Sequence, residues 1–158
     1  MKKLLLAFAI CLSPLSALAQ DAPAPPGVDA PLRFVSRNDV GVLFFDEGSL
    51  DRTGARVRLW TLTVTPRDVA RPTGASIRAN WLLHEIDCGA RTDRYLASIN
   101  VAPDMSYATA YSYPEAPTRP VSASLADVMA EQCSGRAASH PRRVANLAEA
   151  ISFARAPG

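Results

Sequence analysis

Residues 76–88 read SIRANWLLHEIDC, and this segment is the most informative about the fold because its apolar side chains alternate onto two faces. Successive residues of a strand point to opposite sides of a sheet. The two apolar sets are Ile77, Ala79, Trp81 and Leu83 on one face and Leu82, Ile86 and Cys88 on the other. Such two-sided apolarity is typical of a central strand, so we expect one that ends at Cys88.

The flanking sequence predicts the neighbours of this strand. Residues 55–65 form the strongest strand pattern, but the apolar alternation changes phase at Leu59-Trp60. We therefore expect either a β-bulge at that point or burial of both faces. The other predicted strands are 32–35, 40–45, 94–101 and 107–113. Because turn residues separate these runs, the sequence predicts an antiparallel meander.

Two short helices are predicted after the strands. Ser124 followed by Asp127 has the S-x-x-D form of a capping box, and Gly135 stops the apolar run that contains Cys133. Residues 141–154 predict a second helix with a proline in its first turn and one apolar stripe. Each helix has a face that must be covered. The expected class is therefore α+β, an antiparallel meander packed against a C-terminal helix.

The N-terminus predicts export. Lys2-Lys3 precede an apolar run, and Ala17-Leu18-Ala19 supplies the small residues at which a secretory signal peptide, residues 1–19, is cleaved before Gln20. The protein is then periplasmic or secreted.

Downstream of the signal, residues 20–31 are rich in proline and predict an extended, poorly ordered lead. Residues 32–158 predict a single exported domain, and no run in them reaches the roughly 20 apolar residues that a transmembrane helix needs.

Charge excludes two classes of partner. The chain has 17 basic and 15 acidic residues, and its two lysines lie in the predicted signal, so basic and acidic residues balance in the mature domain. Nucleic acids and anionic membrane surfaces require clustered positive charge, which the sequence lacks.

The cysteines indicate a disulfide. Cys11 lies inside the signal, in a context that does not suit lipid attachment, which leaves Cys88 and Cys133 in an oxidising compartment. A single disulfide between them is the expected outcome, and loop entropy gives it about 4 kcal/mol of stabilisation.

A family resemblance follows from the order of these features. Trp60 in a strand, the strand end Glu85-Ile86-Asp87-Cys88, then Arg94-Tyr95-Leu96, and a helix that closes on Cys133 resemble the surface-adhesin protein E-like family. The likeness covers residues 32–134. It implies a small exported bacterial domain of antiparallel sheet and helix with one cysteine pair, and it implies adhesion to extracellular proteins of a host.

Glu85 and Asp87 are a candidate acid and base pair. They share one strand face about 7 Å apart, a spacing that suits glycoside hydrolysis. An ion pair is the competing interpretation, because a turn at Gly89-Ala90 places Arg94 opposite Glu85 and a longer turn places it opposite Asp87.

Other catalytic motifs are incomplete. His84-Glu85 begins like the H-E-x-x-H of zinc proteases, but position 88 is Cys and the segment is a strand. Cys133 assisted by His140 would require a free thiol. The carboxylates of residues 46–51 lack the spacing of an EF-hand and are better explained as a solvated turn than as a calcium site.

A tyrosine stripe is the best binding candidate. Tyr107, Tyr111 and Tyr113 share one face of their strand. Facing inward they would be core residues, which is the commoner case, whereas facing solvent they would form a platform for a glycan or a peptide.

The sequence therefore predicts a non-enzymatic exported module, without cofactor or metal, that binds a protein or glycan of the cell envelope or exterior. Two alternatives stay open. One is an enzyme inhibitor in which residues 46–54 plug the cleft of a partner, and the other is a small hydrolase that uses Glu85 and Asp87.

Overall fold

A computed structural model describes residues 26–72, 74–137 and 140–156. The predicted signal peptide and residues 20–25 of the predicted lead lie outside the described residues. Neither described helix is long and apolar enough to cross a membrane.

Nine strands of the described residues form one antiparallel sheet, which confirms the predicted class. The order across the sheet is β7-β6-β5-β4-β2-β1-β9, with β3 paired to β4 and β8 paired to β6. The strands are β1 (Leu32–Arg37), β2 (Val42–Asp46), β3 (Asp51–Thr53), β4 (Arg56–Ala70), β5 (Ser76–Asp87), β6 (Thr92–Val101), β7 (Tyr107–Ser112), β8 (Arg119–Pro120) and β9 (Arg143–Val144).

Two helices cover opposite faces of the sheet. Helix α2 (Leu147–Arg155) packs on the face that contains Trp60 and Trp81. Helix α1 (Ala126–Ser134) packs on the other face, against Leu59 and Ile86. Two layers of helix around one sheet explain why the central strands are apolar on both sides.

The phase change in β4 reflects burial of both faces. Leu59 belongs to the cluster under α1, and its neighbour Trp60 belongs to the cluster under α2. The pairing of β4 with β5 runs without interruption through these residues, and its irregularity lies instead between Val64 and Val69. Of the two alternatives expected at Leu59-Trp60, burial of both faces is therefore the one found, and no β-bulge interrupts the pairing there.

The predicted disulfide is confirmed. Cys88, just after β5, and Cys133, in the last turn of α1, are bonded, with their Cα atoms 5.3 Å apart. A second link crosses the same interface, because buried Arg33 on β1 donates to Glu131 on α1 at 2.7 Å. Helix α1 is thus held to the sheet covalently and by a buried ion pair.

The helix starts differ from prediction. Ser124 does not cap α1, because its hydroxyl pairs with Ser122 and a 3-10 turn (Ala123–Leu125) precedes the helix. Gly135 ends α1 with a left-handed conformation, as expected. The second helix begins at Leu147 rather than at Pro141, with Asn146 capping it by accepting from the Glu149 amide.

The last residues of the predicted lead contact the domain. The Ala30 amide closes a turn on the Gly27 carbonyl, and the Val28 carbonyl accepts from the amide of Leu147 at 2.9 Å. Pro26 is buried, and its carbonyl accepts from the Tyr107 hydroxyl. The carbonyls of Val28 and Pro26 thus contact α2 and β7.

Candidate functional site

A hydroxyl, an imidazole and a carboxylate stand in the order of an acyl-transfer triad. The Thr61 hydroxyl lies 3.1 Å from Nε2 of His84, and Nδ1 of His84 lies 3.1 Å from Asp93 Oδ2. Arg119 continues the chain by donating to both oxygens of Asp93, and its guanidinium lies 3.7 Å above the Tyr95 ring. We call these four residues, from Thr61 to Arg119, the Thr–His–Asp–Arg chain.

Electrostatics fix the protonation of this chain. Burial lowers the pKa of His84, and this outweighs the opposing effect of Asp93. Burial alone would raise the pKa of Asp93, but hydrogen bonds from His84 and Arg119 together hold it below its usual value. Asp93 is therefore ionised and the imidazole neutral, so Nδ1 carries the proton and Nε2 accepts from Thr61.

The first three residues of the Thr–His–Asp–Arg chain are buried and out of reach of a substrate. Thr61, His84 and Asp93 are 1%, 2% and 0% exposed. A nucleophile must reach the carbonyl that it attacks, and the Thr61 side chain is almost completely buried. The geometry supports a structural role, in which buried polar groups satisfy one another.

Glu85 and Asp87 are both engaged in structural contacts. Glu85 is buried and accepts from Arg58 at 2.9 Å and from Arg94 at 2.7 Å. Burial raises its pKa, but the two arginines outweigh that and the pKa is lowered. Asp87 accepts from the amides of the turn that follows it. A general acid needs a raised pKa, so Glu85 does not suit the acid role in glycoside hydrolysis.

The register decides between the two predicted ion pairs. Arg94 lies opposite Glu85, and Thr92 lies opposite Asp87. The ion pair expected for a turn at Gly89-Ala90 is therefore the one that forms.

The remaining motifs of the sequence also have structural partners. Cys133 is in the disulfide, and His140 packs edge-on to Phe34 at 5.3 Å. In the 46–51 loop, Asp46 caps the amide of Gly48. Glu47 of the same loop binds Arg143 at 2.7 Å. No three His, Cys, Asp or Glu side chains of the described ranges come together as metal ligands.

An open groove of about 500 Å³ crosses β5, β6 and β7 on the α1 side of the sheet. Two cross-strand rows form its floor, Leu82 with Ser98 and Asn80 with Asn100. Its aromatic lining consists of Tyr95, Tyr111 and Tyr113. We call it the tyrosine groove.

The structure brings together two of the three predicted tyrosines. The rings of Tyr111 and Tyr113 are stacked, 6.5 Å apart at an angle of 19°, and the side chains are 50% and 37% exposed. The Tyr113 hydroxyl pairs with Ser98 at 2.9 Å. Tyr107 does not line the groove, because a register irregularity beside Val101 separates it and its hydroxyl binds Pro26.

An amide pair lies on the groove floor. Asn80 Nδ2 donates to Asn100 Oδ1 at 2.9 Å and also contacts the Ile99 carbonyl at 3.3 Å. Among the described residues neither Asn100 Nδ2 nor Asn80 Oδ1 has a hydrogen-bond partner, although Asn100 is only 7% exposed. The floor therefore offers a ligand one free donor and one free acceptor.

The lining is nearly free of charge. The described residues around the groove include no carboxylate, and their one cation is the exposed Arg71 at the rim. Exposed aromatic rings with amide and hydroxyl groups suit an uncharged hydrogen-bonding ligand.

The sequence did not indicate the amide pair, although Tyr111 and Tyr113 were identified. The register of the hairpin that pairs Glu85 with Arg94 was the feature of the sequence from which the partner of Asn80 could be worked out. Extending that register places Asn80 opposite Ile99, however, and only the irregularity beside Leu83 brings Asn100 into line.

Comparison with known proteins supports the fold. No family model matches the chain, and no curated protein matches its sequence. Two structures of Haemophilus influenzae protein E match at 10% identity, each over 72% of this chain. One covers 91% of the protein E chain with a TM-score of 0.49, and crystal form II covers 94% with a TM-score of 0.51. The chain has the fold of protein E, which confirms the predicted resemblance at the level of architecture.

Proposed function

We propose that the protein is an exported, non-enzymatic module that binds a macromolecule of the cell envelope or exterior through the tyrosine groove. The observation that carries this proposal is the free donor and acceptor of Asn100 and Asn80 beneath exposed tyrosine rings. Each of these two amide groups can form one further hydrogen bond inside the groove, so the pair favours a ligand with a matching acceptor and donor.

The arrangement of the catalytic candidates supports binding rather than chemistry. Thr61, His84 and Asp93 are buried, and Glu85 is ion-paired with two arginines. The fold shared with protein E, together with the adhesin-like resemblance of the sequence, also supports an exported adhesive role.

The test is a capture experiment with matched variants. Purified protein beginning at Gln20 is immobilised and exposed separately to bacterial envelope extract and to purified extracellular-matrix proteins. We expect a bound component that Tyr111→Ala with Tyr113→Ala abolishes. Tyr107→Ala is the matched control, because it removes an exposed tyrosine of the same strand that lies outside the groove.

Two results would overturn the proposal. One is that no component is retained at micromolar concentration. The other is that the double variant retains the same components as the wild type, because the groove would then contribute nothing to binding.

A further inference from the structure

The groove floor has a chemistry that narrows the ligand class. Asn100 Nδ2 is a donor on a residue that is more than nine-tenths buried and lines the groove. Asn80 Oδ1, beside it, is an acceptor. A secondary amide presents the complementary acceptor and donor, its C=O and its N–H.

The walls favour a saccharide over a polypeptide. Tyr111 and Tyr113 stand nearly parallel and half exposed, a platform on which the C–H face of a pyranose can stack. Leu82 lies next to the amide pair and gives an apolar contact for a methyl group. The hydroxyl pair of Ser98 and Tyr113 can both donate and accept, as sugar hydroxyls require.

We infer that the tyrosine groove binds an oligosaccharide of N-acetylated amino sugars, with the acetamido group on the amide floor and the sugar ring on the tyrosine platform. The acetamido C=O accepts from Asn100, its N–H donates to Asn80, and its methyl contacts Leu82. The inference rests on the proposed function and specifies its ligand. The absence of carboxylates from the described lining fits a neutral sugar backbone.

Calorimetric titration with three probes tests the inference. The probes are the N-acetylglucosamine tetramer, cellotetraose, which carries hydroxyls in place of acetamido groups, and a tetra-alanine peptide with blocked ends. We expect the N-acetylglucosamine tetramer to bind at least about tenfold more tightly than cellotetraose, because a short hydroxyl cannot pair with both floor amides at once and brings no methyl group to Leu82. The blocked peptide should bind no better than cellotetraose.

The variant arm separates recognition from folding. Asn100→Leu should remove most of the preference for the acetylated tetramer while leaving the weak binding of cellotetraose, a selectivity change that simple loss of structure would not produce. Tyr107→Ala should retain the affinity of the wild type. Urea denaturation of each variant confirms that the domain is folded in the titration.

The outcomes are distinguishable from those of the capture experiment. Equal affinity for the two tetrasaccharides, preference for the peptide, or no binding of the acetylated tetramer at millimolar concentration each overturns the ligand assignment. None of these results bears on whether the groove captures a macromolecule of another class, so the proposed function is tested separately by the capture experiment. If the tetramer binds, sedimentation with bacterial cell-wall sacculi against retention on immobilised, desialylated host glycoprotein shows whether an envelope or a host glycan supplies the sugar.

Discussion

Two polar clusters on the same side of the sheet differ in how far their hydrogen bonds are satisfied. In the Thr–His–Asp–Arg chain, both ring nitrogens of His84 and both oxygens of Asp93 have partners. On the groove floor, Asn80 and Asn100 share one bond and each keeps a free polar group. The first cluster is completed by the protein itself, whereas the second is left open for another molecule.

Tyr95 separates the two clusters. Its ring packs edge-on to His84 at 5.0 Å and under the Arg119 guanidinium, while it also lines the tyrosine groove. The Thr–His–Asp–Arg chain thereby holds Tyr95 in place as part of the lining of the tyrosine groove. We therefore expect substitutions in and around the Thr–His–Asp–Arg chain to change the free energy of unfolding strongly, and substitutions on the groove floor to change it little.

The largest effect is expected from the disulfide that clamps α1 over the enclosed side. Replacing Cys88 and Cys133 with serine should lower the free energy of unfolding by about 2 to 5 kcal/mol, since the unfolded chain is no longer cross-linked. The urea midpoint of the variant, and of the wild type with reductant, should fall together. A wild-type midpoint that reductant leaves unmoved would contradict the structure.

Asp93→Ala comes next. It leaves the buried His84 Nδ1–H and the Arg119 guanidinium without their acceptor, and removal of one partner from a buried pair is strongly destabilising. Because Arg119 can turn partly to solvent, we expect a loss of about 3 kcal/mol. Asp39→Ala, at an exposed position, is the matched control and should change the free energy of unfolding by less than about 0.5 kcal/mol.

Mild acid should weaken the enclosed cluster. Burial lowers the pKa of His84 from 6.5, so below that pH the unfolded chain takes up a proton that the folded one refuses. Stability is complete above pH 6.5 and falls as the pH drops toward the folded pKa, by up to about 1.4 kcal/mol for each pH unit. The groups that face the ring are Thr61, Asp93, Tyr95 and Arg119.

The check is the slope of stability between pH 7 and pH 5. His84→Gln, which keeps an amide donor and acceptor, should flatten that slope even if the variant is less stable at pH 7. Losses from Asp93 and Glu85, whose pKa values are lowered from 3.8 and 4.5, come only at more acidic pH. An identical slope in both proteins would show that His84 does not titrate on unfolding.

Much of the fold could be predicted because patterns local in the sequence determine the central strands and the end of α1. Two-sided apolarity located β4 and β5, the predicted export implied the disulfide, and Gly135 marked the end of α1. The start of α2 was missed because Arg143 and Val144 pair with β1, a contact distant in sequence. Long-range pairing thus overrode the local preference of the proline for a first helical turn.

The groove was only partly predictable for a similar reason. Period-two alternation places Tyr111 and Tyr113 on one face, and they share it. Alternation also placed Tyr107 with them, but the irregularity in the β6–β7 pairing sets it apart. A strand irregularity shifts every pairing beyond it by one residue, and such shifts leave no clear trace in a single sequence.

The smallest effect on stability, and the sharpest test of the comparison, is expected on the groove floor. Replacing Asn80 and Asn100 together with leucine removes both partners of one hydrogen bond and also the two unsatisfied groups. Such a replacement is close to neutral or stabilising, so the urea midpoint should stay or rise. The same variant should lose groove-dependent capture. A large loss of stability would instead place this amide pair with the enclosed cluster, as a structural element of the sheet.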